Sequence, residues 1–470
     1  MHRIITLALL SMPACVAALA HAGDGLPDPD FGNHAPGISL VDVVVNAEIS
    51  IDEADVLLLL PDGGLLVGGH TQFAHARPPV LSLVRLDAGG QRDPGFGSNG
   101  AALIDPGAGV RSPRPVALLA RDDGGWLLLA SASFDDAGAL LLCRVAATGT
   151  PEVACMRLPA PPGLTFRFGP MAAASDGQGR ILSLASVGPP AFSLNTDLAV
   201  ARWHADGSPD ADFGDDGAVL LTRFDELAGQ VTRETAAGIA VDGGGRIVIA
   251  ATSLPRGVDG DGTPVFAAAR LLASGQIDTA FGEGGARRLP VSLPVEARAL
   301  AVAADGSSYL GGHALVGTAP ASHFECALAR LDAQGDVDAG YGDGGILRIA
   351  FETGAASDAH CTALAAQPDG RLVAAGVSRN HDVPEAGNDL AAVRLWPDGR
   401  IDRGFGNRGN GRYIGAVDLG GVSGNMDRLD ALAWHDDHLH AAGSARSGYN
   451  QDEFVAVRLR ADGLLDDGFD

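Results

Sequence analysis

Residues 202–217, RWHADGSPDADFGDDG, contain a short motif that recurs along the chain. Its fixed positions are an arginine, a glycine five residues later, an aspartate, an aromatic residue followed by glycine, and a closing glycine. The arginines that open this repeat motif are Arg85, Arg144, Arg202, Arg270, Arg330, Arg394 and Arg458. They are 58 to 68 residues apart, a period that is too long for one coil of a solenoid and indicates a larger repeated unit.

An Asp-Gly pair between two apolar stretches lies upstream of the repeat motifs. The pairs are Asp62-Gly63, Asp123-Gly124, Asp176-Gly177, Asp242-Gly243, Asp305-Gly306 and Asp369-Gly370. Asp-Gly is a strong hairpin signal, because glycine accepts a positive φ and aspartate hydrogen-bonds the local backbone. Each unit therefore contains four predicted strands, as in residues 363–366, 372–375, 390–395 and the stretch after the closing glycine. Four antiparallel strands per unit are typical of a propeller blade.

The two ends of the chain predict how such a propeller closes. Residues 28–32, DPDFG, repeat only the second half of the motif and precede a predicted strand at 38–45, whereas the C-terminus stops within the motif at residues 466–469. The last unit thus lacks a fourth strand that the N-terminal segment can supply, and this pairing would remove two exposed sheet edges. We predict an all-β, seven-bladed β-propeller of four-stranded antiparallel blades, with the N- and C-terminal segments sharing a blade.

The repeat resembles a known bacterial family, the delta-60 repeat proteins. The residues that carry the resemblance are Pro368-Asp369-Gly370-Arg371-Leu372, Arg394-Leu395, Asp398-Gly399, Asp402 and Phe405-Gly406. The similarity extends over nearly all of the chain after its first 22 residues. It implies a secreted β-propeller and brings no established catalytic residues with it.

The second unit departs from the motif, and its departure involves a cysteine. After Arg144, Glu152 replaces the aspartate, Cys155 the aromatic residue and Met156 the glycine. Proximity in the sequence favours two disulfides, Cys143 with Cys155 and Cys326 with Cys361, although sequence alone does not fix the connectivity. The alternative is that these cysteines are free, buried thiols that pack as small apolar side chains.

Residues 1–22 carry one arginine, an apolar stretch and a small-x-small ending, which predicts a secretory signal peptide. Residues 23–470 then form a single propeller domain of seven repeats of about 60 residues, in a periplasmic or extracellular protein. Lipid attachment at Cys15 is the alternative, but residues 12–14 are a poor match to the sequence that lipoprotein processing requires before the modified cysteine. No later stretch predicts a transmembrane segment.

The formal net charge of −25 and the absence of any basic cluster argue against binding to nucleic acid or to an anionic membrane. Residues that recur in every unit are interpreted as structural: the aromatic residue packs between blades, the aspartate caps a turn, and the arginine pairs with an acid. Function is expected where the repeat varies. The variable loops, predicted to share one face, are residues 71–79, 186–196, 253–264, 313–324, 378–389 and 444–453.

Two segments are candidates for metal binding. Asp259 and Asp261 alternate with glycines as in a calcium loop, but the later acidic ligand of an EF-hand is missing, so an ordinary acidic loop is the alternative. The histidines of the last unit, His435, His438 and His440, are a weaker candidate for a transition metal, against an exposed hairpin tip.

The chain contains no nucleophile elbow, phosphate-binding glycine loop, Cys-x-x-Cys pair or His-Glu-x-x-His helix. We therefore expect a monomeric binding scaffold that recognises a protein or glycan ligand through the variable-loop face. The alternatives are a hydrolase or lyase with its site at the axial mouth of the propeller, and a structural component of the cell envelope.

Overall fold

The computed structural model of the chain describes residues 25–44, 49–74, 77–134, 137–190, 195–257, 260–289, 291, 293–318, 322–352, 357–380, 387–417, 426–435, 437–448 and 451–460. The predicted signal peptide, Asp259 and the C-terminal motif at residues 466–469 lie outside these ranges. Within them, no helix combines the length and the hydrophobicity that a membrane crossing requires.

Strand β1 (Ile38–Val41) precedes the repeated units. The strands of the first three units are β2 (Ser50–Leu59), β3 (Leu65–Phe73), β4 (Val80–Leu86), β5 (Ala101–Ile104), β6 (Arg111–Ala120), β7 (Trp126–Ser133), β8 (Gly138–Val145), β9 (Met156–Leu158), β10 (Thr165–Ser175), β11 (Ile181–Gly188), β12 (Asp197–Trp203) and β13 (Ala218–Leu221). A short helix, α1 (Arg223–Ala228), connects the third unit to the fourth.

The remaining strands follow the same order. They are β14 (Thr232–Val241), β15 (Ile247–Gly257), β16 (Gly260–Asp261), β17 (Val265–Leu271), β18 (Ala286–Arg288), β19 (Val295–Val302), β20 (Ser308–Val316), β21 (His323–Leu331), β22 (Ile346–Ile349), β23 (Ser357–Ala366), β24 (Leu372–Asn380), β25 (Asn388–Leu395), β26 (Arg412–Gly415), β27 (Arg428–His435), β28 (His438–Gly448) and β29 (Gln451–Arg460).

Consecutive strands pair antiparallel into four-stranded sheets, such as β6-β7-β8-β9 and β19-β20-β21-β22, and β16 adds a short pairing to β15. The prediction of an all-β chain built from such sheets is confirmed. Strand β1 pairs antiparallel with β29, in a register that runs from Ile38 opposite Val457 to Val41 opposite Phe454. A single parallel bridge between Ile51 and Asp452 connects β29 to β2.

The core lies between the units. In one cluster, Leu182 and Leu184 of β11 are buried with Ile247 and Ile249 of β15, and similar clusters occur between other neighbouring sheets. Apolar side chains on both faces of each sheet are thereby removed from water, so that neighbouring units stabilise one another.

The repeat motif places a buried ion pair and an aromatic ring at these boundaries. Arg270 Nε donates to Asp278 Oδ2 at 2.7 Å, and its guanidinium carbon lies 4.7 Å from the centre of the Phe281 ring. Arg270 Nη1 also donates, at 2.5 Å, to the carbonyl of Ala333 in the next unit. Arg270 is only 3% exposed and Phe281 is fully buried, so this contact ties two units together in a dry environment.

The glycine of the next motif makes room for the aromatic ring. Gly335 has φ +81, and a Cβ atom there would lie 2.7 Å from the Phe281 ring. Both the backbone angle and the close approach require glycine.

Two disulfides are present, Cys143–Cys155 and Cys326–Cys361, which are the pairs that proximity in the sequence favours. The first replaces the aromatic position of the second unit. The second connects β21 to β23, and so joins the fifth unit to the sixth. Each limits the freedom of the unfolded chain.

Replacing Phe281 with alanine is expected to lower the free energy of unfolding by about 3 to 5 kcal/mol, because it empties a fully buried ring position. Phe168→Ala is the matched control, since Phe168 is 60% exposed and should change stability by less than about 0.5 kcal/mol. Urea unfolding followed by circular dichroism measures both. Equal losses in the two variants would contradict the assigned packing role.

Candidate functional site

The first strands of the units carry a bulge at an equivalent place. The pairing register between first and second strand skips one residue in six units, and the skipped residues are Asp55, Val116, Ala237, Arg298, Thr362 and Asp430. Strand β10 has a longer irregularity between Phe166 and Met171. A bulge redirects a side chain out of the regular alternation. All six bulged residues line one cavity of about 770 Å³, which we call the central cavity.

The central cavity opens on the side of the variable loops. His313 and Phe324, the first and last residues of the predicted variable segment 313–324, both line it. That loop is shorter than predicted, because β20 continues to Val316 and β21 begins at His323. The strand ends that emerge on this face therefore position side chains at the rim of the cavity.

An ion cluster spans three units beside the cavity. Glu53 Oε2 on β2 accepts hydrogen bonds from Arg114 Nη2 of β6 at 2.6 Å and from Arg428 Nη2 of β27 at 2.9 Å. Burial opposes ionisation of Glu53, but the two guanidinium groups outweigh it and hold the pKa of this carboxyl at about 2. Glu53 is therefore ionised at neutral pH and connects the last unit to the first and second.

Two bulged aspartates complete the ion cluster. Asp55 Oδ1 accepts from Arg114 Nη1 at 3.1 Å, and Asp55 Oδ2 lies 3.0 Å from His70 Nδ1. Asp430 accepts a hydrogen bond from Arg428 Nε. Burial raises the pKa of Asp430 despite this cation, and the nearby charge of Asp55 acts in the same direction.

Three rings form a second cluster on the wall contributed by the fifth and sixth units. The centre of the His313 ring lies 5.0 Å from that of Phe324 and 4.7 Å from that of His360, and Phe324 and His360 are 4.9 Å apart. Burial lowers the pKa of His313 to about 4 and also lowers the pKa of His360, so both imidazoles are neutral at pH 7. Arg298 and Glu296, each about half exposed, pair at 3.1 Å beside this ring cluster.

The remaining wall of the cavity is apolar, with Pro115, Val116, Met171 and Ala237 among its lining residues. The cavity therefore combines an apolar wall, three closely packed rings in edge-on and tilted contact, and several charged side chains. Such a mixture of apolar surface with a few polar groups is typical of small-molecule and saccharide pockets.

Three buried acids occupy an equivalent position, three residues before a bulge. They are Asp52, Glu234 and Asp427. Val43 N donates to Asp52 Oδ2 at 3.1 Å, and Val417 N donates to Asp427 Oδ2 at 2.8 Å, so both aspartates fix the connection that enters their unit. Burial raises the pKa of Asp52 to about 6 and those of Glu234 and Asp427 to about 7.

The metal candidates from the sequence lie elsewhere. Asp259 is outside the described residues, and Asp261 lies in β16 without a described side chain, so calcium binding there stays a prediction. His440 is buried, which lowers its pKa to about 3, and His438 Nε2 lies 3.3 Å from Asp28 Oδ2. Among the residues with described positions, no group of three or more His, Cys, Asp or Glu side chains is arranged to hold a metal.

Of the residues that line the central cavity, the sequence placed His313 and Phe324 in a predicted variable loop but did not single out the bulged residues. The bulged residues lie on first strands, which have no invariant residue, and they come from segments about 60 residues apart. The available signal was variation: at the bulge position the units carry aspartate, valine, alanine, arginine and threonine, as a functional surface on a repeated scaffold does.

Comparison with protein families supports the repeat assignment. Residues 60–96, 245–281 and 367–405 match the family described as "Domain of unknown function (DUF5122) beta-propeller". The three segments end at the aromatic residue of the repeat motif, at Phe96, Phe281 and Phe405. The resemblance to delta-60 repeat propellers is thereby confirmed. No curated protein sequence matches the chain significantly.

Solved structures that are similar to the chain have low sequence identity to it. Polysaccharide lyase Uly1 is 10% identical, with 92% of each chain covered and a TM-score of 0.50. The alpha-L-arabinanase of Penicillium chrysogenum, complexed with arabinobiose, is 10% identical over 77% of this chain and 98% of its own, with a TM-score of 0.43. The likeness to the lyase shows the fold and, at 10% identity, nothing beyond it.

Asp427→Asn is expected to remove part of the pH dependence of stability. Because the folded pKa is raised above the unfolded value of 3.8, Asp427 favours folding at low pH and loses that contribution as pH rises through about 7. Between pH 5 and pH 8 the wild type should therefore lose about 2 to 3 kcal/mol more than the variant. Urea unfolding at both pH values measures the difference, and the constant effect of the substitution cancels. Equal pH dependence in the two proteins would contradict the raised pKa.

Proposed function

We propose that this delta-60-type propeller is a secreted or periplasmic carbohydrate-binding protein whose site is the central cavity. The observation that carries the proposal is the ring cluster of His313, Phe324 and His360, which faces charged and apolar walls in one cavity. Sugars present apolar C–H faces that stack on aromatic rings, and hydroxyl groups that hydrogen-bond to planar polar side chains. Arg298 and Glu296 stand beside the rings and can supply such bonds.

The number of blades and the closure of the ring are also part of this proposal. We propose seven blades in a closed ring, with β1 as the fourth strand of the last blade. Arg458 of β29 supports this: its Nε donates to Asp28 Oδ2 at 2.7 Å, and its guanidinium carbon lies 4.8 Å from the centre of Phe31. Arg458 Nη1 also donates to the carbonyl of Ala88 in the first unit at 2.7 Å. The N-terminal half-motif thus takes the place that the second half occupies in other units.

The ion cluster favours binding over catalysis. Glu53, Asp55 and Asp430 each have a guanidinium partner, and Arg114 and Arg428 link blades that are adjacent in the proposed ring. Ion pairs of partly buried carboxylates that bridge structural elements hold a fixed geometry, and removing one partner leaves a carboxylate without its counter-charge. In this interpretation the ion cluster keeps one wall of the binding site rigid and does not take part in catalysis.

A hydrolase is the second candidate. Asp55 and Asp430 occupy equivalent bulges of neighbouring blades, and burial raises the pKa of Asp430. A protonated carboxylic acid beside a second carboxylate is the pair that glycoside hydrolysis requires, one as acid and one as base or nucleophile. In this role Asp430 would donate the proton to the leaving oxygen.

The disulfides and the N-terminal sequence support a proposal for the cellular location. Two disulfides agree with an oxidising compartment, and the N-terminal segment has the pattern of a signal peptide. We propose that the protein works there as a monomer, and that the Asp259–Asp261 loop is its candidate calcium site.

Incubating the purified mature protein with a glycan array, with and without Ca²⁺, tests the proposal. We expect selective binding by the wild type and a loss of at least about tenfold in affinity for Phe324→Ala, because stacking on the ring is removed. Leu220→Ala, at an exposed site on β13, should bind as the wild type does.

Unchanged binding by Phe324→Ala, with both variants melting as the wild type does, would contradict the assigned site. Release of reducing ends from a bound glycan, abolished in Asp430→Asn, would instead establish the hydrolase.

A further inference from the structure

The sixth unit departs from the repeat on the face opposite the central cavity. Its fixed residues Arg394, Asp402 and Phe405 are retained, with Arg394 Nε donating to Asp402 Oδ2 at 2.8 Å. The positions between them differ from those of the fourth unit. Trp396, Arg400 and Arg403 stand where the fourth unit has Leu272, Gln276 and Thr279. Since the fourth unit folds with those smaller or uncharged residues, the scaffold does not require a tryptophan or these arginines.

These departures line a single groove of about 720 Å³, together with Ile401, Asn410 and Arg412. Trp396 is 41% exposed, whereas Trp126 and Trp203 are buried. The guanidinium carbon of Arg371 lies 5.2 Å from the centre of the Trp396 ring. An indole held in place by a stacked cation and open to solvent is a ready platform for a ligand ring.

The groove is positively charged in a chain whose net charge is −25. Arg400 Nε pairs with Asp398 Oδ2 at 2.6 Å but its side chain is 78% exposed. Arg403 is exposed and has no ion-pair partner among the described residues. Arg412 is partly buried and donates to two backbone carbonyls, those of Ala350 at 2.9 Å and Asn410 at 3.2 Å.

An unsatisfied polar atom marks the same groove. Asn410 Oδ1 is buried without a hydrogen-bond partner, and Asn410 lines the groove. Buried polar atoms in folded proteins are almost always paired, so an acceptor without a partner in a groove lined by arginines indicates a place where a ligand group completes the hydrogen bonding.

We propose that this groove binds an acidic saccharide, with a sugar ring on Trp396 and its carboxylate or sulfate group between Arg400, Arg403 and Arg412. Guanidinium groups recognise such planar or multi-oxygen anions through paired hydrogen bonds, and the indole supplies the apolar contact that a simple anion lacks. The rest of the chain is negatively charged and repels an extended polyanion. We therefore expect the ligand to be a short acidic segment of a glycan.

The test converts this surface to that of the fourth unit. The triple variant W396L/R400Q/R403T places in the sixth unit the residues that the fourth unit already folds with, so its melting temperature should match that of the wild type. Arg233→Gln, an exposed arginine on β14, is the control for charge alone. The probes are trigalacturonic acid, its methyl ester, and a sulfated disaccharide, each titrated against the full mature protein by calorimetry and tryptophan fluorescence.

We expect saturable binding of an anionic probe that weakens with added salt, at least about tenfold weaker binding by the triple variant, and unchanged binding by Arg233→Gln. Preference for the carboxylate or the sulfated probe identifies the anionic group. Absence of binding by either anionic probe, equal binding of the methyl ester, or full binding by a correctly folded triple variant would each overturn the inference.

Discussion

The structure depends on one interaction of the repeat motif, an arginine that pairs with the aspartate of its own motif and, at Arg202 and Arg270, also donates to a backbone carbonyl of the next unit. Arg202 shows the same set as Arg270: Nε donates to Asp210 Oδ2 at 2.8 Å and Nη1 to the carbonyl of Ala273 at 2.6 Å, while the guanidinium covers Phe213. A buried guanidinium without these partners would be strongly destabilising. Arg202 and Arg270 therefore fix both the turn of their own unit and the position of the next one.

This constraint explains why so much of the fold followed from spacing alone. The sequence spacing between the arginine, the aspartate and the aromatic residue specifies one turn conformation. The Asp-Gly pairs specify the hairpins that precede this turn. The predicted strand at 38–45 is observed as β1, although it ends earlier, at Val41. Neighbouring cysteines pair because units adjacent in sequence are adjacent in space.

The candidate site was beyond sequence reasoning for an equally physical reason. A bulge depends on a skipped pairing between two strands, and no residue type encodes it: Asp55, Val116 and Arg298 all occupy one. Ion pairs such as Glu53 with Arg428 join residues at opposite ends of the chain. Only the arrangement of units brings them together. The repeat nevertheless offers a criterion for function, because positions shared by all units maintain the scaffold and positions that vary on one face or in one unit are available for ligands.

The most direct measurement compares the two residues that the repeat motif offers as the aspartate partner of Arg458, Asp28 of the N-terminal half-motif and Asp466, which follows Arg458 at the spacing of the motif. Alanine at Asp28 should lower the free energy of unfolding by about 2 to 4 kcal/mol, similar to alanine at Asp402 in the sixth unit. Alanine at Asp466 should change it by less than about 0.5 kcal/mol. A stable Asp28 variant together with a strongly destabilised Asp466 variant would show that the N-terminal segment does not complete the last blade, and would contradict the account.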